Sequence, residues 1–122
     1  MTGHDRLDIY LEGWRLGDGA LSLTAVLPDF HYDDPNTGRI YYDGFVDFVE
    51  AFKADVAAIN DGKLGSPFLT YTDVVVEATD GAGRAWCWWR ATDTDFQGAA
   101  LIHFEKTGVI SERIAYFTEL PE

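Results

Sequence analysis

Cysteine is nearly absent: the 122 residues carry one, Cys87. A single thiol closes no internal disulfide, and a cysteine-built metal site is excluded. Positive charge is scarce too, with 9 Lys and Arg against 21 Asp and Glu and a net charge of −12. A surface of that sign repels phosphate backbones and anionic bilayers, so neither nucleic acid nor membrane is an expected partner. No apolar run approaches the roughly 20 residues of a membrane helix. The opening segment MTGHDRLDIY lacks a signal-peptide core, and a cytoplasmic location is expected. Internal repeats and low-complexity tracts are missing. So are a glycine-rich phosphate loop, a Ser-His-Asp order and metal-ligand spacing, and neither metal nor cofactor is expected.

Apolar side chains are plentiful, at 47% of the chain, and aromatics reach 15%. That is enough for one domain spanning 1–122, with rings to spare for a bulky core or a pocket wall. Leu7, Tyr10, Leu11 and Trp14 recur at helical spacing, and Gly17 stops that helix. Asp18 caps a second helix through Ala20, Leu21, Leu23 and Val26, which ends near Leu27 because Pro28 follows. Residues 29–34 alternate as a short strand, with Phe30, Tyr32 and Asp34 on one face and Asp29, His31 and Asp33 on the other. DPNTGR is a turn, and a short strand follows at 39–42. Phe45, Phe48, Val49, Phe52, Val56 and Ile59 mark a third helix. Four strands close the chain, at 68–78, 84–93, 99–106 and 109–118. Their short, turn-rich links favour antiparallel pairing.

Helices followed by a strand meander give an α+β domain: a half-open cone of curved antiparallel or mixed sheet on three helices in the N-terminal half. Strand 84–93 is apolar on both faces, Trp86 and Trp88 with Arg90 on one, Cys87 and Trp89 on the other. Alternation leaves the inward face open, since one bulge swaps the two. So small a domain cannot cover both faces itself. A homodimer through the outer sheet face is therefore expected.

The order of YLEGWRLGD, LPDFHYDDPNTG, GFVDFVEAF and ALIHFEKTGVISERIAYF resembles the nuclear-transport-factor-two-like superfamily, and within it the SnoaL-like polyketide cyclases and ketosteroid isomerases. The resemblance implies a cystatin-like α+β barrel, often dimeric. Tyr10, eight residues before Asp18, stands where the isomerases have their oxyanion-binding tyrosine. Asp34, before Pro35, stands where they have the proton-moving aspartate. Their second acidic oxyanion group falls on Ile102, ahead of His103-Phe104, so that half of the oxyanion hole is missing. The Arg-x-Asp pair of similar epoxide hydrolases is missing as well, because Thr92 stands two places after Arg90.

Asp34 shares a strand face with rings, where a carboxylate can take a proton from carbon beside a carbonyl. The plainer alternative is a turn cap at Asp-Pro. Tyr10 is the candidate oxyanion donor or, alternatively, a core tyrosine. Pocket-wall candidates are Trp14, Phe30, Tyr32, Phe48, Phe52, Trp86, Trp88, Arg90, Ile102 and Tyr116. Arg90 serves a pocket, by holding a substrate oxygen or carboxylate, or a surface or dimer salt bridge, which the 21 acidic side chains favour, and Arg113 carries the same two readings. His31 and His103 fall on outer faces, and Cys87 reads as a small buried hydrophobe. Two functions follow. One is a cofactor-independent isomerase, cyclase or lyase acting on a small apolar carbonyl compound. The other is a non-catalytic module that binds a small hydrophobic ligand or only dimerises.

Overall fold

Thr2 opens the first helix through a reciprocal cap. Its hydroxyl accepts from the Asp5 N–H at 3.0 Å, and the Asp5 carboxylate accepts from the Thr2 N–H at 2.8 Å. In this computed structural model, which describes residues 1–117, helix α1 spans Gly3–Leu16 and ends where Gly17 turns left-handed at φ 71°. The Asp18 side chain then caps α2, Gly19–Leu23, by accepting from the Leu21 N–H at 3.0 Å. Gly13 lets the two helices touch, since a Cβ there would lie 2.0 Å from Ser22 Oγ. The freed space lets that hydroxyl donate to the Tyr10 carbonyl at 2.8 Å.

The second helix is shorter than its apolar spacing predicts. The Ala25 carbonyl accepts from the Val109 N–H at 2.9 Å, and Val26 pairs with Val109, so sheet pairing takes Val26 out of the helix. Strand β1 accordingly begins early and spans Val26–Asp34. Pro28 sits in the irregular stretch between the paired residues Val26 and His31, where a missing N–H breaks no ladder bond.

A tight turn leads to β2, Gly38–Tyr41, and a 3-10 turn at Tyr42–Gly44 leads to α3, Phe45–Ile59. The meander follows as β3 Leu69–Thr79, β4 Ala82–Ala91, β5 Gln97–Glu105 and β6 Gly108–Phe117. Thr118, expected at the end of the last strand, lies outside the described residues.

The strands form one sheet in the order β2-β1-β6-β5-β4-β3. Every pairing is antiparallel except β1 with β6, whose long crossover carries α3 and the other strands. The α+β cone with three helices in the N-terminal half is thus present, but its sheet is open. Strands β2 and β3 are both edges among the described residues, which corrects the expected barrel. A bulge between Thr72 and Val75, where Asp73 takes φ 55°, bends β3.

Helices α1 and α3 cover the concave face. Phe45 stands edge-on to Phe30 at 5.3 Å and to Trp14 at 5.6 Å, and Tyr32 stacks on Trp14 at 5.5 Å. Among the described residues no helix is long and apolar enough to cross a membrane.

Candidate active site

Alternation along β1 sends Phe30, Tyr32 and Asp34 inward, and all three are buried. Asp34 ends the strand, and each of its oxygens has a different partner. Oδ1 accepts from the N–H groups of Asn36 at 2.8 Å and Thr37 at 2.9 Å, which is the turn cap. Oδ2 accepts from the hydroxyl of Tyr116 on β6. The functional and the local readings of Asp34 therefore fall on separate atoms.

This pair borders a pocket of about 330 Å³. Its apolar wall comes mainly from α3, through Phe48, Ala51, Phe52, Val56 and Ile59, with Phe96 beside Tyr116. Polar groups are Asp34, Asn36, Thr37, Asp55 and Tyr116, and among the described residues no Lys or Arg lines the space. The size and the few convergent polar groups suit a small-molecule site. Burial, helped by the neighbouring Asp34 carboxylate, pushes the Tyr116 hydroxyl far above its ordinary pKa and keeps it protonated.

A second tyrosine–carboxylate pair lies deeper. Tyr10 donates to Oε1 of Glu112, and Trp14 Nε1 donates to the Tyr10 oxygen at 3.2 Å. Glu112 is buried, and desolvation raises its carboxyl pKa to about 7 even against its hydrogen bonds. Beside it a space of only about 10 Å³ is walled by Trp14, Tyr32, Phe52, Leu69, Tyr71, Trp89, Glu112 and Ile114. That is room for about one water.

The sequence candidates divide into four groups. Asp34, Phe48, Phe52 and Tyr116 meet at the larger pocket. Trp14 and Tyr32 wall the small inner space, which Phe52 also borders. Tyr10, Phe30 and Ile102 are sealed in the core. For Tyr10 this is a correction: its ring lies 5.6 Å from Phe30 and its hydroxyl is engaged by Glu112, away from the larger pocket. Trp86, Trp88 and Arg90, expected on the pocket wall, form the fourth group and face outward.

Residue volumes explain that inversion. Trp89 turns inward because Gly98, its partner on β5, leaves room: a Cβ at Gly98 would lie 2.7 Å from the Trp89 ring. Ala85, Cys87 and Ala91 share its buried face, and burial pushes the Cys87 thiol up to about 12. Outside, the Arg84 guanidinium sits 5.0 Å over Trp86, and Trp88 stacks on Phe117 at 5.1 Å. Gln97 Oε1 accepts from Trp88 Nε1 at 2.9 Å and from Arg90 at 3.4 Å. Arg90 also borders a shallow groove with Asp93 and Asp95, where the carboxylates outnumber it.

Sequence reasoning missed Glu112, Asp55 and Phe96. Glu112 carried a usable signal: it alternates with Ile114 and Tyr116, so a carboxylate stands on the inward face of β6.

Compared with protein-family models and with curated proteins, the sequence finds no match in either. Solved structures do match. An NTF2-like protein of unknown function from Cytophaga hutchinsonii is 10% identical with a TM-score of 0.63, over 96% of this chain and 91% of the other. A candidate polyketide cyclase from Pseudomonas putida is 15% identical with a TM-score of 0.62, over 96% and 92%. A candidate ketosteroid isomerase from Kribbella flavida is 13% identical with a TM-score of 0.60, over 97% and 78%. The chain therefore has the NTF2-like α+β cone fold.

Proposed function

We propose that this chain is a cofactor-independent proton-transfer enzyme of the isomerase, cyclase or lyase kind, acting on a small apolar carbonyl compound in the Asp34–Tyr116 pocket. The observation that carries the proposal is a carboxylate and a phenol, already hydrogen-bonded, at the edge of an otherwise largely apolar pocket. Similarity of fold to proteins named for cyclase and isomerase activity supports the same reading.

Asp34 Oδ2 takes the proton from the carbon beside the carbonyl. Oδ1 stays on the turn amides and fixes the carboxylate plane. Tyr116 turns its hydroxyl from Oδ2 to the carbonyl oxygen as that oxygen gains charge, the part first assigned to Tyr10. Its high pKa suits a donor that keeps its proton. Return of the proton to a different carbon gives isomerisation; attack of the enolate carbon on a second carbonyl, whose oxygen then takes the proton from Asp34, gives cyclisation. The surrounding rings keep water from the enolate.

The test is turnover of a panel of enolisable ketones. Asp34→Asn should lose on the order of 100-fold or more in kcat, the usual share of a general base. Asparagine keeps an oxygen for the Asn36 and Thr37 amides, so the turn survives the substitution. One observation favours binding without chemistry: Ile102, fully buried, fills the place of the second acidic group. On that second reading ketones bind and none turns over.

We also propose that a second copy of the chain covers the outer sheet face, where Val75, Trp86 and Phe117 are exposed beside Trp88 and Leu101.

A further inference from the structure

We propose that Phe52 is the specificity-determining partition of the pocket, closing off an inner subsite that would otherwise take the oxygen-bearing far end of a longer apolar ligand. The proposal rests on the reading of the Asp34–Tyr116 pocket as a ligand site. Among the described residues, Phe52 is the one that borders both the 330 Å³ pocket and the 10 Å³ space at Glu112. Its ring stands edge-on to Trp14 at 5.6 Å and to Trp89 at 5.9 Å on the inner side, and stacks with Tyr116 at 6.4 Å on the outer side. A smaller side chain at this position joins the two spaces into one channel running from Asp34 towards Glu112.

Trp89, which borders the inner space, also has an unspent donor. It is 4% exposed, and its Nε1 has no hydrogen-bond partner among the described residues. Buried indole N–H groups ordinarily find an acceptor, because an unpaired one loses its hydration without return. A hydroxyl or carbonyl oxygen arriving there receives that N–H, and the Glu112 carboxyl on the same wall offers a second polar contact. The remaining lining is mostly ring and aliphatic surface, so the body of such a ligand is apolar. With Phe52 in place the pocket selects shorter compounds; the ligand that the opened space admits is an elongated ring compound with an oxygen at each end.

The experiment measures binding of acetophenone and of para-phenylacetophenone, the latter with and without a terminal hydroxyl, by ligand-observed NMR. Three proteins are compared: wild type, Phe52→Leu, and Phe52→Leu with Trp89→Phe. Leucine keeps most of the apolar contact, so folding is retained where Phe52→Ala would risk it, and near-UV circular dichroism checks this. Phe52→Leu should shift the affinity ratio about tenfold or more towards the two-ring ketones, the scale of a steric change in an apolar pocket. The hydroxylated form should then bind better than the plain one, and Trp89→Phe should abolish that preference. An unchanged ratio, with acetophenone still bound, overturns the partition and leaves the outer pocket standing. A shifted ratio with no hydroxyl preference overturns the inner subsite. No binding of any ketone to any of the proteins overturns the pocket reading itself, and this inference with it.

Discussion

The hydroxyl of Tyr116 meets Oδ2 of Asp34 across 82 residues of sequence. Strand register makes the meeting. Tyr32 pairs with Glu112 and Asp33 with Arg113 across parallel β1 and β6, which brings the inward residues of both strands to one end of the cone. Tyr116→Phe removes the donor from a carboxylate that is only 5% exposed. It should destabilise the fold by about 1–3 kcal/mol, the range for a buried acceptor left unpaired, and lower ketone turnover without abolishing ketone binding. Urea unfolding and ligand titration separate the two effects.

Asp34→Ala and Asp34→Asn should differ in stability while agreeing in lost activity. Alanine frees the Asn36 and Thr37 amides and should cost about 1–2 kcal/mol, as other lost caps do. Asparagine keeps the cap and should cost clearly less on its Oδ1 side. Paired urea midpoints with matched m-values decide this.

Glu112 should make stability depend on pH. Its folded pKa, about 7, lies above the ordinary glutamate value of 4.5. The folded state therefore binds the extra proton, and stability falls as pH rises from about 4.5 through 7. Glu112→Gln keeps a partner for Tyr10 and removes the titration. The variant should gain on wild type with rising pH across that window, by up to about 3 kcal/mol at pH 8. Thermal unfolding of both proteins at pH 5 and pH 8 measures the difference.

Gly98→Ala should unseat Trp89. The added Cβ would meet the Ala115 carbonyl oxygen at 1.9 Å as well as the indole ring. Overpacking of this kind costs about 1–3 kcal/mol, and the near-UV circular dichroism of Trp89 should change with it. Trp88, outside on the same strand, should keep its stacking on Phe117.

The outer face should hold a second copy. Light scattering at micromolar concentration should show a dimer, and Trp86→Glu should shift it to monomer because a charge would be buried without a partner. A wild-type monomer would remove the argument from the two-faced strand.

Much of this was legible in residue spacing. The run Phe30, Tyr32, Asp34 alternates cleanly, so its inward face could be read directly, and the Phe45-to-Ile59 stripe marks α3 between its observed ends. Strand β4 was not legible in the same way. Two faces of equal hydrophobicity give alternation nothing to distinguish, and the choice fell to the small residue Gly98 on a neighbouring strand. Val26 was lost to β1 because pairing with Val109, far along the chain, outweighs a weak local helix preference. Tyr10 was legible as inward, but its commitment to Glu112 depends on which residues of α1 and β6 meet, a tertiary fact that no local pattern carries.

The most direct measurement of the central claim is hydrogen exchange at the carbon beside the carbonyl of acetophenone dissolved in D2O, followed by proton NMR. Wild type should wash out those hydrogens well above the buffer rate, and Asp34→Asn should return the rate to that of buffer. Exchange no faster than buffer, or equal in the two proteins, would contradict a proton-accepting role for Asp34.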